Sequence, residues 1–324
     1  MTSKRRVGVI GSIVWDVIHG RQPNALPVEE WGGISYGIAG LDAALSDDWE
    51  IVPIIKVGDD LSVRATQFMR TFARMAPDAA LIAVPYPNNR VELRYTDEER
   101  RTELMTGGVP GWNWLGLKPV LEMARLDALY INFLSGWEVD VATAQLIRQN
   151  FAGPIYCDLH MLAWAVQPDG FRTLRPIPNV REWCSSFDFL QVNEDEMTML
   201  APDPMALAAT ALHAGVKSLS VTLGKRGAVY FAAPGFERLR DDSRSPLSAG
   251  LGPLRTALVP AEHVDPGDPT GCGDVWGATQ FSRLLAGDNL DSAILAANRA
   301  AARNVSHRGA TGLADHLRGK ISLT

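Results

Sequence analysis

Apolar runs separated by glycine-marked turns are the dominant pattern in this chain. Val7 to Ile10 is such a run, stopped by Gly11, and predicts a buried strand. Ile51 to Val57 predicts another. After the turn Gly58-Asp59-Asp60, a helix should place Leu61, Ala65, Phe68, Phe72 and Met75 on one face, with Asp59 or Asp60 as its N-cap. From Leu126 onward the alternation is clearer. Strands are expected at Ala128 to Phe133, Ile155 to Cys157, Phe189 to Val192 and Leu219 to Leu223, separated by helix-compatible stretches such as Val139 to Gln149 and Ala206 to Ala214. Such spacing predicts an α/β fold built on a doubly wound, mostly parallel sheet flanked by helices. Val91 to Tyr95 and Arg101 to Met105 read as a polar hairpin across the charged turn Asp97-Glu98-Glu99. Arg238 to Pro253, rich in Asp, Ser, Gly and Pro, reads as a flexible insertion within a single domain spanning 1–324.

Composition narrows the class. With 324 residues, 46% of them hydrophobic and 21% charged, the chain is long and apolar enough to bury a substantial core. A net charge of −6 argues against a general nucleic-acid or anionic-membrane binder, so an anionic ligand must be held by local N–H groups. Three scattered cysteines without metal-ligand spacing point to a reducing cytosol, with neither disulfides nor a zinc site. The N-terminus lacks a signal-peptide pattern and no apolar run is long enough for a membrane span. A cytoplasmic protein is expected.

Candidate chemistry concentrates near the C-terminus, in Asp265 to Ala278. A loop kept irregular by proline and glycine passes there into an apolar, helix-compatible run through Phe281, Leu284 and Leu285. Gly271, Cys272 and Gly273 fall at the first helical turn, where unpaired N–H groups and the helix dipole favour an anion. Asp274 beside an anion site suits a base that takes a proton from an attacking hydroxyl while the amides hold a transferring phosphoryl group. A glycine-rich helix start with an ordinary acidic residue is the plainer alternative. Asp16, a few positions past the first strand, lies where α/β folds place ligands, or in a turn or cap. Asn193-Glu194-Asp195-Glu196 follows a strand; capping explains its composition, and magnesium binding is the functional alternative. Gly224-Lys225-Arg226-Gly227 reads as a hairpin turn. Asn298 to Gly309 reads as an alanine-rich helix ending at glycine.

Several of these segments, in this order, resemble the PfkB (ribokinase-like) carbohydrate kinase family over roughly residues 7–312. Asp268-x-Thr270-Gly271-Cys272-Gly273-Asp274 is similar to its C-terminal signature Asp-Thr-x-Gly-Ala-Gly-Asp, with cysteine in place of alanine. Gly11-Ser12-x-x-x-Asp16 resembles its first strand, whose Asp binds substrate hydroxyls. Trp31-Gly32-Gly33-Ile34-Ser35-Tyr36-Gly37-Ile38-Ala39 resembles Gly-Gly-x-x-x-Asn-x-Ala, and Gly37 replaces the usual asparagine. The resemblance implies substrate contacts at Asp16, Gly32, Gly33 and Gly37. It implies ATP with Mg²⁺ held through water near Asn193 and Glu196, nucleotide contacts at Thr222, Gly224, Gly227 and Asn298, and a monovalent cation such as K⁺ near Asp268. Segments of roughly 12–40 and 86–108 would form a β-lid and a homodimer interface.

The implied activity is ATP-dependent phosphorylation of a hydroxyl on a small sugar-like or nucleoside substrate. A non-catalytic ligand-binding or regulatory protein on the same fold is the alternative that Gly37 leaves open. A dinucleotide oxidoreductase is disfavoured, because Val7-Gly8-Val9-Ile10-Gly11 lacks Gly-x-Gly-x-x-Gly. Trp15, Trp31, Trp112 and Trp114 are candidates for stacking on a base or for filling the core.

Overall fold

The computed structural model describes residues 4–19, 26–95, 101–239, 253–265 and 267–320. The charged turn at 97–99 and nearly all of the 238–253 insertion lie outside the described residues.

An eight-stranded sheet runs through the molecule in the order Arg255–Val259, Ala228–Ala232, Ser218–Thr222, Phe189–Asn193, Ile155–Asp158, Ala128–Asn132, Arg5–Ile10, Trp49–Ile54. The last six are parallel, and the first two join antiparallel at one edge. Chain order reverses at the Arg5–Ile10 strand, and in such sheets ligands gather beyond the carboxyl ends of the strands. The apolar runs of the sequence are these parallel strands, covered on both faces.

Successive strand residues point to opposite faces, and this splits the core in two. Tyr130, Tyr156 and Phe189 pack beneath the helices Ile34–Ala44 and Cys272–Leu285. Leu129, Ile131, Ile155, Cys157, Leu190 and Val192 pack on the other side against residues of the helices Val141–Asn150, Val180–Ser185 and Pro204–His213. The first face is an aromatic row: Tyr130 stacks on Tyr156 at 5.5 Å, and Tyr156 lies 5.3 Å from Phe281. Helices Ile34–Ala44 and Cys272–Leu285 cross closely, because Gly40 has no side chain. A Cβ there would stand 2.9 Å from Ala278 Cβ and 3.2 Å from Val275 Cα.

A separate four-stranded sheet has the order Val28–Gly33, Ile13–His19, Arg90–Tyr95, Arg101–Thr106. The expected hairpin is present, with Arg90 opposite Thr106 and Val91 opposite Met105. Asp16 therefore sits within a strand of this sheet. Trp15 and Trp31 meet edge to face at 4.9 Å, and Trp31 stacks on Phe68 at 5.5 Å. Trp112 donates its indole N–H to the Ile54 carbonyl, and Trp114 packs against the second core. All four tryptophans fill the protein interior.

Three local expectations are corrected. Ile51 to Val57 is not one strand: Trp49–Ile54 belongs to the large sheet, while Lys56–Gly58 pairs with Ile82–Val84. The helix after it spans only Ser62–Met69 and lacks a side-chain cap, so Phe72 and Met75 lie beyond its end. Asp60 instead accepts the Asn88 N–H at 2.7 Å and pairs with Arg90 at 3.0 Å, tying this turn to the smaller sheet. Finally, the alanine-rich helix is Leu290–Asn304 and ends well before Gly309. Among the described residues no helix is long and apolar enough to cross a membrane.

The close helix crossing yields a test. Gly40→Val should lower the unfolding free energy by about 1–3 kcal/mol in denaturant titrations, because the backbone of the facing helix cannot yield. Unchanged stability would show that the crossing is loosely packed.

Candidate active site

The helix Cys272–Leu285 begins over the carboxyl ends of the central strands. Gly271 caps it in the left-handed conformation at φ 75°, which glycine adopts without strain. A side chain there would meet the ring of Tyr36, with a Cβ 2.2 Å from Tyr36 Cδ1. At Gly273 the nearest atom to an added Cβ is Gln191 Nε2, 3.8 Å away, so its backbone is open to close approach. The Cys272 N–H is already used, donating to Pro269 O at 3.1 Å. The Cys272 thiol faces the helix Leu290–Asn304, where it accepts from Asn304 Nδ2 at 3.2 Å, and burial raises its pKa to about 11. Cysteine in this turn is thus a packing residue.

Three polar side chains line up beneath the helix start, and two of them hold it. Asn132, Asp158 and Gln191 are register partners on adjacent parallel strands. Asn132 Nδ2 donates to Asp274 Oδ1 at 2.6 Å, and Gln191 Nε2 donates to the Gly273 carbonyl at 3.0 Å. The Tyr156 hydroxyl lies 2.8 Å from Gln191 Oε1, and the Tyr130 hydroxyl donates to Asp274 O at 3.3 Å. Asp274 is buried, with 9% of its surface exposed. A buried carboxylate fixed by an amide beside an open helix N-terminus is suited to take a proton next to an anion.

Asp158, between those two anchors, is buried. Desolvation, with Glu196 and Asp274 nearby, pushes its pKa well above the usual carboxylate range. His160 Nδ1 lies 2.7 Å from Glu196 Oε1. Burial by itself would lower the imidazole pKa, but contact with Glu196 and the charges of Asp158 and Asp274 outweigh it and raise it to about 9.

Asn193 and Glu196 form a complete capping box on the helix Glu194–Leu200. Asn193 Oδ1 accepts the Glu196 N–H at 2.8 Å. Glu196 Oε2 accepts the Asn193 N–H at 2.9 Å, and Oε1 accepts from Asn193 Nδ2 at 2.7 Å as well as facing His160. Their oxygens suit a hard cation in kind, but all are committed to protein partners. Direct ligation of magnesium would break the cap, whereas contact through water, using the second lone pair of Glu196 Oε2 or of Asn193 Oδ1, would leave it intact.

The other expected residues divide. Asp16 lies against Gly32, where a Cβ would stand 1.8 Å from its carboxylate, and Gly33, at φ 59°, starts the helix that carries Tyr36. These residues therefore adjoin the Gly271 turn. Gly37 is buried against Tyr130, with an added Cβ 3.2 Å from Tyr130 Cε1, so this position packs on the core. Thr222 is the register partner of Asn193, and Gly224 is open, with nothing within 4 Å of an added Cβ. Gly227 is tight instead: a Cβ would stand 2.1 Å from Val259 O. Asn298 is committed at both ends, donating to Val259 O and Pro260 O and accepting from Trp276 Nε1 at 2.8 Å. Adenine contact by its side chain would cost those bonds. Asp268 Oδ1 caps the Thr270 N–H at 2.9 Å. Asn304 donates to the Thr270 carbonyl, and its own Oδ1 is buried without a partner.

Sequence reading missed Asn132 and Gln191. Their signal was polarity in otherwise apolar strands, at or next to the strand ends.

Comparisons with known proteins agree with this geometry. The profile described as pfkB family carbohydrate kinase matches residues 172–316. A ribokinase of Bacillus subtilis (strain 168) is 30% identical over 157 residues, 48% of this chain and 44% of that protein. This part of the chain is similar to the PfkB family. The matched segment spans less than half the length of the curated ribokinase. Similarity of fold extends further. A ribokinase from Thermotoga maritima superposes with a TM-score of 0.66 at 17% identity, covering 98% of both chains. A pyrophosphate-dependent kinase of the ribokinase family, solved with a pyrophosphate analog and myo-inositol, gives 0.70 at 16% identity over 94% of this chain and 96% of that one. A Burkholderia thailandensis nucleoside kinase in complex with inosine gives 0.68 at 16% identity over 95% and 94%. The fold is therefore ribokinase-like along nearly the whole chain.

Two measurements test the site. Gly37→Asn should destabilise the protein by about 1–3 kcal/mol, because the new side chain displaces Tyr130; an unchanged melting temperature with faster turnover of sugars would instead place position 37 at the substrate. His160, with its pKa raised on folding, adds stability that is fully present below its unfolded value near 6.5 and fades as pH rises through about 9. His160→Gln should accordingly melt well below the parent at pH 6, with the gap closing towards pH 10. A gap independent of pH would remove the charged pair.

Proposed function

We propose that the chain is an ATP-dependent kinase that phosphorylates a hydroxyl of a small sugar-like or nucleoside substrate. The observation that carries this reading is Asp274, buried and held by Asn132, on the first turn of a helix whose Gly273 backbone stands open.

Asn132 fixes Asp274 Oδ1, and the carboxylate so oriented is proposed to accept the acceptor's hydroxyl proton. The oxygen so activated attacks the terminal phosphorus of the donor. A new P–O bond forms as the bond to the leaving diphosphate breaks. The Gly271 and Gly273 amides, with the dipole behind them, stabilise charge on the transferring group; one such donor is worth about 3 kcal/mol. Cys272 contributes no amide to this hole, since its N–H is spent on Pro269. Thr222 and the open Gly224 are proposed to meet the donor's phosphates, and Asp16 with Gly32 and Gly33 the acceptor's hydroxyls. Gly227 and Asn298 shape that end of the site from within the fold. The unpartnered Asn304 Oδ1 beside Asp268 to Thr270 supports a K⁺ ion in that turn. The four-stranded sheet is proposed to act as the lid, with a second copy pairing through it. Structural similarity to kinases solved with inosine and with myo-inositol supports a neutral polyhydroxylated acceptor.

Consumption of ATP by the purified protein should be assayed with pools of sugars, polyols, sugar acids and nucleosides. Asp274→Asn should lower turnover by about 10²–10⁴-fold while leaving nucleotide binding within about twofold. Bound ATP with no turnover in any pool would favour a non-catalytic binding protein.

A further inference from the structure

After the strand Ile155–Asp158 the chain makes a short 3₁₀ turn, His160–Ala163, and then a hairpin of Trp164–Val166 and Arg172–Leu174. Pro168-Asp169-Gly170 supplies its turn. The root of this hairpin is docked beside the candidate active site. His160 faces Glu196, and the Met161 N–H donates to Phe133 O at 2.9 Å, one residue past Asn132. Gly136 permits that approach, since a Cβ there would stand 2.7 Å from Met161 O.

The tip reaches a different part of the molecule. It pairs with Arg101–Thr106, the outer strand of the four-stranded sheet: the Met105 N–H donates to Gly170 O at 2.9 Å, and Phe171 bridges to Leu104. Gly170 has φ 86°, and an added Cβ would stand 2.8 Å from Leu104 Cδ1 and 3.0 Å from Met105 O, so this contact requires glycine. Between root and tip lies Arg172, with 2% of its side chain exposed. Its Nη1 reaches Glu103 Oε2 at 3.3 Å and its Nη2 lies 2.6 Å from the Met105 sulfur, both on that outer strand. Nη2 also donates to the Leu134 carbonyl at 2.9 Å, two residues past Asn132. One guanidinium thus joins the smaller sheet to the strand whose Asn132 holds Asp274. Removing one partner of a buried ion pair costs far more than the pair's net contribution, so this junction resists opening.

We propose that the hairpin Trp164–Leu174 is a strap that sets the smaller sheet over the candidate active site, with Arg172 as its positioning residue. The smaller sheet carries Asp16, so its placement decides whether Asp16 and Asp274 face one acceptor. That consequence rests on the phosphoryl-transfer reading; the tie itself does not.

The test is amide hydrogen exchange on the full chain, without nucleotide or acceptor. Arg172→Ala should speed exchange at least about tenfold in Arg90–Tyr95 and Arg101–Thr106, and leave Phe189–Asn193 and Ser218–Thr222 within about twofold. Arg172→Lys keeps the charge without the fork of donors and should recover part of the protection. If Arg172→Ala misfolds, Gly170→Val detaches the tip alone and should loosen the same two strands. Unchanged exchange in those strands, or equal loosening of both sheets, overturns the strap. In the ATP-consumption assay with pooled acceptors, Arg172→Ala should raise the half-saturating acceptor concentration at least about tenfold and keep the maximal rate within about threefold. A fall in maximal rate alone overturns the positioning role. Absence of turnover in the parent would defeat the kinase reading and leave the exchange result to decide the strap.

Discussion

The grip of Asn132 and Gln191 on the first turn of the Cys272–Leu285 helix is the constraint on which the rest of the site depends. It joins the carboxyl ends of two strands to a helix N-terminus that would otherwise be set only by apolar packing. Apolar packing fixes a helix against a sheet to within the slack of its side chains, whereas hydrogen bonds of 2.6 and 3.0 Å fix particular atoms. The aromatic row of Tyr130, Tyr156 and Phe281 supplies the bulk support. The amides then place a carboxylate and an open backbone next to each other.

Charge in this region is balanced by pairing inside the protein. Glu196 is satisfied by its capping box and by His160, and Asp16 is seated in the space that Gly32 leaves. Asn298 is likewise absorbed into the fold. Several residues that resemble ligand-binding positions therefore do structural work here, while Asn132 Oδ1 and Asn304 Oδ1 are buried without a hydrogen-bond partner. A groove of about 1270 Å³ has Ala43, Thr279, Arg283 and Arg299 in its lining. Arg283 and Arg299 are paired with Asp288 and Glu262, and Arg303, also in its lining, donates to the Leu317 carbonyl.

The substitution at Gly37 has a counterpart in the core. With glycine at that position, the Tyr130 ring packs against the helix Ile34–Ala44, and its hydroxyl reaches the Asp274 carbonyl. A larger residue at 37 and a tyrosine at 130 compete for one volume. The departure from the usual asparagine is therefore coupled to the support of the proposed base, which local sequence comparison does not reveal.

Local chemistry along the chain determined the elements. Apolar runs ending in glycine, and the alternation of strand and helix from Leu126 onward, specify a parallel sheet because both of its faces must be covered. The start of the site helix was equally legible, since Gly271 and Gly273 mark a turn that side chains would obstruct. What the sequence left open was partnership across strands. Asn132, Asp158 and Gln191 are far apart in the chain, and only the sheet's register sets them in one row. The complete capping box of Asn193 and Glu196, the edge-to-face contact of Trp15 with Trp31, and the direction of the Cys272 thiol likewise appear only in three dimensions. The physical reason is common to all of them. Residue type states what a side chain is able to bind, and the neighbours brought by folding state what it has already bound.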